Sequence, residues 1–224
     1  MSTINLNNEE FFSLDFYIDN RVLIPRNDTE TLVYQVLKEI KNENTILIDV
    51  WTWSGCIPIA IIKNLKFDLK KTYALDISLE ALEVAQINRW KYLFDEKIVL
   101  VNSDLLSVFD NFKLEKIDSD LIITANLPYI KNEDYKNMDK EVYLNEPHIA
   151  LFGWEITWFE LYEKLISQII ELKKIANEKQ KIVLFIEIWF DQYEYSKKYL
   201  TDLWLKFGYF KDLNNIWRII KIEF

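Results

Sequence analysis

From Thr45 onward the chain alternates short apolar runs with amphipathic stretches, and that alternation predicts strands separated by helices. Strands are expected at Thr45–Val50, Thr72–Leu75, Ile98–Val101, Asp120–Ala125 and Ile182–Ile188, with a closing pair near Tyr209–Leu213 and Ile219–Ile222. Helices are expected near Ile57–Leu65, Leu79–Arg89, Phe159–Ile175 and Tyr193–Lys206. Such a pattern suits an α/β fold, a doubly wound, mostly parallel seven-stranded sheet with helices on both faces. Ahead of it, Leu14 to Ile24 reads as a short β-hairpin turning at Asp19-Asn20. Asp28 or Thr29 is placed to cap a helix that carries Leu32, Val33, Val36, Leu37 and Ile40 on one face. The polar, poorly periodic stretch from Lys131 to Thr157 suits a substrate-facing loop.

Composition narrows the class. At 224 residues and 50% hydrophobic content the chain can bury one full core, so residues 14–224 are expected to form one domain after a polar segment 1–13. A net charge of -9 and a pI near 4.8 lack the basic footprint of a general nucleic-acid binder, so no direct nucleic-acid contact is expected. Cys56, the single cysteine, cannot close an internal disulfide, and the start has no basic segment leading into an apolar one; a cytoplasmic protein is expected. Glu187 interrupts the apolar stretch Ile182–Phe190, which is too short to cross a bilayer, so no membrane role is expected. His148, the only histidine, has no metal-ligand spacing around it, and no metal is expected.

Tryptophan and glycine change the picture most. The chain has 8 tryptophans and 3 glycines, where average usage would give about 16 glycines. Asp49-Val50-Trp51-Thr52-Trp53-Ser54-Gly55 reads Asp-x-Gly-x-Gly-x-Gly if both tryptophans are exchanged. The expectation is that tryptophan stands for glycine, as when a stop codon that encodes glycine is translated as tryptophan. Trp90 follows Arg89 at an expected helix end, where glycine often supplies a left-handed cap; Trp154 follows Gly153, and Trp189 ends an apolar run. Trp158 lies four residues past Trp154, while Trp204 and Trp217 say less. The competing reading is a set of ordinary core tryptophans.

Candidate chemistry gathers where strands end. Asp49 closes the first strand, and Trp51, Thr52, Trp53, Ser54 and Gly55 lead straight into a helix; glycine in such a loop lets backbone approach a nucleotide or nucleoside. Asp76 ends the second strand about 20 residues on, where an acid can hold ribose hydroxyls. Asp104 and Leu105 follow the third strand, placed either to meet a base edge or, for Asp104, to cap the next helix. The fourth strand ends in Asn126-Leu127-Pro128-Tyr129. Cys56 reads as a packing residue.

Asn126-Leu127-Pro128-Tyr129 resembles the Asn-x-Pro-Tyr signature of class I S-adenosylmethionine-dependent methyltransferases that modify planar amide or amino nitrogens. Pro25-Arg26-Asn27-Asp28-Thr29-Glu30 resembles the Pro-Arg-x-x-Thr-Glu segment of the release factor glutamine methyltransferases, and Glu146-Pro147 through Trp158 resembles that family's Glu-Pro…Ala-Leu…Gly-Gly…Gly-Leu segment. The matches run in order from about Leu14 to Phe224. The family has glycine where this chain has Trp51, Trp53 and Trp154, and commonly at Trp158 and Trp189.

The resemblance implies S-adenosyl-L-methionine as cofactor, held by Asp49, Trp51–Gly55, Asp76, Asp104, Leu105 and Asn126. It implies a peptide chain release factor as protein partner, methylated on the glutamine amide of its Gly-Gly-Gln motif. The Asn126 side chain and the Leu127 carbonyl would accept the two amide N–H groups, Pro128 would stiffen the loop and Tyr129 would pack on the substrate. Arg26, Glu30, Glu146 and Pro147 fall on the substrate side, and a monomer is expected. Leu127 departs from the family's usual proline. The family's amino-terminal helical domain, about half the usual domain size, is expected to be absent. Two alternatives stand beside this reading: adenine N-methylation of RNA or DNA, and a non-catalytic methyltransferase-fold protein if the tryptophans are genuine.

Overall fold

The computed structural model describes residues 8–111, 119–128 and 159–224. Seven strands form one sheet: β3 (Thr45–Val50), β4 (Lys71–Asp76), β5 (Ile98–Asn102), β6 (Asp120–Ala125), β7 (Ile182–Glu187), β8 (Lys206–Lys211) and β9 (Trp217–Glu223). Their order is β5-β4-β3-β6-β7-β9-β8. Neighbours from β5 to β7 pair in parallel, while β9 runs antiparallel to both β7 and β8. Every residue of β3 and β7 is buried, which explains why both read as mainly apolar runs without polar alternation. From β3 the chain lays strands first to one side and then to the other, so a crevice opens at the carboxyl ends of β3 and β6.

The helices are α1 (Glu30–Glu39), α2 (Cys56–Asn64), α3 (Leu79–Lys91), α4 (Glu160–Ile175) and α5 (Tyr193–Asp202). Pro58 lies in the first turn of α2, where a missing N–H costs no helical bond. In α4 the buried Tyr162, Leu165, Ile166, Ile169 and Leu172 share one stripe, the packing face of an amphipathic helix. Asn88 of α3 is fully buried and fully used: its carboxamide accepts from the Tyr17 amide (2.7 Å) and donates to Tyr17 O (3.0 Å) and Ser54 O (2.9 Å). It ties the amino-terminal segment to the loop after β3.

Several expected boundaries move. The hairpin is β1 (Glu9–Phe11) with β2 (Leu14–Phe16), turning at Phe12-Ser13 with φ of 52° and 59°, not at Asp19-Asn20. Burial of Phe11 and Phe16, whose rings meet edge to face at 6.2 Å, outweighs the poor turn propensity of Phe12. Asp19 makes a local turn instead, its carboxylate held by Arg21. Helix α5 stops at Asp202, short of Lys206, and β8 begins there, ahead of the expected Tyr209. Helix α3 runs on through Trp90 to Lys91, and its left-handed terminal residue is Leu93, so the cap expected at Trp90 is not there. Neither Asp28 nor Thr29 caps α1: a 3-10 turn over Asn27–Thr29 leads into it, and Thr29 makes no side-chain capping bond.

Candidate active site

Asp49, next to last in β3, is completely buried, its Oδ1 accepting from the Thr124 hydroxyl at 2.6 Å across the β3–β6 pair. Burial pushes its pKa up to about 7, with the charge of Asp76 adding to the rise and the Thr124 hydrogen bond and the nearby Thr52 hydroxyl opposing it. The chain then turns sharply through left-handed residues at alternate positions, Trp51 (φ 66°), Trp53 (φ 53°) and Gly55 (φ 75°). Thr52 N–H donates to Leu75 O, and Gly55 N–H to Thr52 O, both at 2.8 Å, which pins the turn against the end of β4.

Asp76 faces that turn. Its two oxygens accept from the Trp53 and Ser78 amides, each at 2.9 Å. Burial lifts its pKa to about 6 in spite of the bonds from Ser78, Trp53 and Ile77. A carboxylate oxygen has a second lone pair, so Asp76 keeps acceptor capacity for a diol.

The indole of Trp53 spans the crevice. Its backbone N–H meets Asp76 while its ring N–H donates to Asn126 O at 3.2 Å, and the side chain is 4% exposed. Trp51 lies beside it with ring centroids 5.9 Å apart, and its ring N–H is buried with no partner among the described residues. Trp53 therefore reaches from the acid at β4 to the polar loop at β6, with the Trp51 indole packed beside it.

At the end of β6, Asn126 presents a carboxamide whose Nδ2 donates to Thr29 Oγ1 at 3.4 Å and whose Oδ1 is buried with no partner among the described residues. Leu127 and Pro128 follow, both buried. The Leu127 amide donates to the Tyr162 hydroxyl at 3.1 Å, and that hydroxyl donates to Glu187 O at the end of β7. A hydroxyl has one proton, so the Leu127 carbonyl, 3.5 Å from the same oxygen, retains its acceptor capacity.

Other expected site residues make contacts of their own. Asp104 pairs with Lys164 at 2.6 Å with both side chains about half exposed, and Leu105 is buried in a left-handed conformation. Glu30 accepts from the Phe12 amide at 2.7 Å and so anchors the hairpin; the Arg26 carbonyl accepts from the Thr29 amide at 3.0 Å. Tyr129, Glu146, Pro147, His148, Trp154 and Trp158, with the loop expected at 131–157, lie outside the described residues. Burial pushes the Cys56 thiol up to about 12, which suits packing and removes it as a nucleophile. Thr29, Thr124, Tyr162 and Glu187 were not singled out from the sequence as site residues. Glu187, a carboxylate within an apolar strand, and Thr29, inside the Pro25–Glu30 segment, were the visible signals.

A sheet in this order, with an acid at the end of β4 and an Asn-x-Pro loop at the end of β6, defines a class I methyltransferase fold. The N-terminal domain of human METTL16 in complex with SAH superposes with a TM-score of 0.62 at 16% identity, covering 95% of this chain and 76% of that one. A family model described as RNA cap guanine-N2 methyltransferase matches residues 44–146. The release factor glutamine methyltransferase of Flavobacterium psychrophilum is 32% identical over 98% of this chain and 74% of its own length. That of Mycoplasma mycoides subsp. mycoides is 33% identical over 97% and 74%. The chain belongs to the release factor glutamine methyltransferase family. No described helix is long and apolar enough to cross a membrane.

Proposed function

We propose that this chain transfers a methyl group from S-adenosylmethionine to the side-chain amide nitrogen of the glutamine in the Gly-Gly-Gln motif of a peptide chain release factor. The observation that carries the reading is the buried Oδ1 of Asn126, without a partner among the described residues, beside the Leu127 carbonyl: two acceptors at one strand end for the two N–H groups of a primary amide. S-adenosylmethionine supplies an electrophilic methyl on a sulfonium. Asp76 would accept from ribose hydroxyls, and the loop from position 51 to Gly55 would offer backbone for close approach. An amide nitrogen is a weak nucleophile because its lone pair is delocalised, so orientation by Asn126 and Leu127 supplies much of the acceleration. The new N–C bond forms as the C–S bond breaks, and the nitrogen gives up one proton to solvent.

We propose further that the tryptophans stand for glycine in the native protein. Three of the six described tryptophans, Trp51, Trp53 and Trp204, have positive φ, the region that glycine enters without strain. The Trp51 indole, without a partner among the described residues, is a second support, because a buried indole N–H ordinarily finds an acceptor. Trp90, Trp189 and Trp217 are not left-handed and add no such argument.

The test is methyl transfer from labelled S-adenosylmethionine to a release factor and to an adenine-containing RNA, by the chain as written and by a version with glycine at all eight positions. Label on the Gly-Gly-Gln glutamine from the glycine version alone is the expected result. Label on RNA alone would replace the amide reading with the nucleic-acid one, and equal turnover by both versions would sink the requirement for glycine. One codon type shared by all eight positions is the matching expectation in the gene.

A further inference from the structure

Glu187 has no part in the reaction as derived so far, yet it is a buried carboxylate at the end of β7, one strand from Asn126. The register pairs Ala125 with Ile186, so the next positions along the two parallel strands are Asn126 and Glu187. Tyr162 holds those ends together by accepting from Leu127 N–H and donating to Glu187 O. Glu187 Oε2 is buried without a partner among the described residues. Thr29, brought in from the turn before α1 and 2% exposed, accepts from Asn126 Nδ2 at 3.4 Å, and its hydroxyl is near enough to the Glu187 carboxyl to favour the charged form.

We propose that Glu187, acting through Thr29, is the positioning residue that sets which way the Asn126 carboxamide faces. The argument follows from proton inventory. An ionised carboxylate only accepts, so it takes the single Thr29 hydroxyl proton. Thr29 oxygen is then left with lone pairs alone for Asn126, which must turn its NH₂ toward Thr29. Its Oδ1 thereby faces the substrate side, where an acceptor is needed. If Glu187 carries a proton it can donate to Thr29 instead, the Thr29 proton is released toward Asn126, and the carboxamide gains equal reason to flip. A flipped Asn126 would offer donors to the two donor hydrogens of an amide, and binding in the reactive orientation would fail.

This inference rests on the amide-methylation reading, since only a substrate that donates needs an acceptor at Asn126. The charged groups around Glu187 are Arg218 from β9 and Asp28 and Arg26 from the segment before α1, while α4 contributes the neutral Tyr162 hydroxyl. Burial raises the Glu187 pKa to about 7, with Asp28 adding to the rise; Thr29, Arg218 and Arg26 oppose it.

The deciding experiment follows the side-chain ¹⁵N–¹H resonances of Asn126 in the full chain from pH 5 to pH 9, which requires no turnover. A transition centred near pH 7 is expected, lost in Glu187→Gln and in Thr29→Val but kept in Thr29→Ser. Absence of the transition in the parent, or its survival in Glu187→Gln, would overturn the proposal. In steady-state assays of the methylating parent, kcat should fall about tenfold in Glu187→Gln and Thr29→Val, the worth of one hydrogen bond. KM for S-adenosylmethionine should stay unchanged and Thr29→Ser should restore kcat; equal loss in Thr29→Ser and Thr29→Val would also overturn the relay. A parent that never methylates a release factor would sink the function and leave the resonance result to judge the relay.

Discussion

Trp204 shows at single-residue scale how backbone geometry constrains identity. It follows α5 with φ 57° and a side chain 95% exposed. Its N–H donates to Thr201 O, and the next amide, Leu205, donates to Leu200 O, the pair of bonds that closes a helix through a left-handed residue. Glycine is the residue that geometry favours, and the exposed indole contributes little to compensate. Trp204→Gly is therefore expected to raise the unfolding free energy by about 1 kcal/mol. Trp90→Gly, within the last turn of α3, should lower it by about 1 kcal/mol in the same denaturant titration, because helical φ gives glycine no advantage there. Equal effects of the two substitutions would remove the conformational argument for glycine. Leu93 closes α3 in the same left-handed way, so the fold tolerates a side chain at such a position.

Between elements, the segments that shape the crevice are joined by polar side chains as well as by apolar contact. Asn88 makes three bonds from one buried carboxamide, two to Tyr17 and one to Ser54, and so sets the loop after β3 against both α3 and the amino-terminal segment. Asn88→Ala leaves the Tyr17 amide and two carbonyls without their partner. A loss of about 2–4 kcal/mol in unfolding free energy is expected. Amide exchange at Tyr17 should rise with it; slow exchange there in the variant would show that another group anchors the segment.

Across the whole molecule, three carboxyls stand buried along one edge of the sheet, with pKa values raised to about 7 for Asp49, about 6 for Asp76 and about 7 for Glu187. A raised carboxyl binds its proton more tightly folded than unfolded. Its contribution to stability is complete below the unfolded value near pH 4 and is lost as pH rises through the folded value. Asp19, Glu39 and Glu223 carry lowered values and behave in the opposite sense, losing their contribution as pH falls through their folded values. Asp49→Asn removes one raised group, so the variant should be more stable than the parent at pH 8 by on the order of 2–4 kcal/mol. That difference should shrink toward zero by pH 4 in unfolding titrations across the range; a difference independent of pH would show that Asp49 does not titrate in this window.

The parallel strands were legible because burial on both faces leaves a continuous apolar run, and β3 and β6 fall at Thr45–Val50 and Asp120–Ala125 as expected. Asp49, Asp76 and Asn126 were legible for a related reason, each being the first polar chemistry after such a run. The hairpin was not, because nothing in the residue types of Phe12-Ser13 marks a turn; burial of the flanking Phe11 and Phe16 against the rest of the fold sets it there. Thr29 looked like a helix cap, since its type and place fit one, and only the approach of β6 and β7 turns its hydroxyl toward Asn126 and Glu187. The sequence by itself thus determined the strand–helix order, the polar residues at strand ends and the misfit of tryptophan in a glycine loop, all carried by local patterns. Tertiary structure alone decided which polar groups face one another, because hydrogen-bond partners such as Asn126 and Thr29, 97 residues apart, meet only when the sheet assembles.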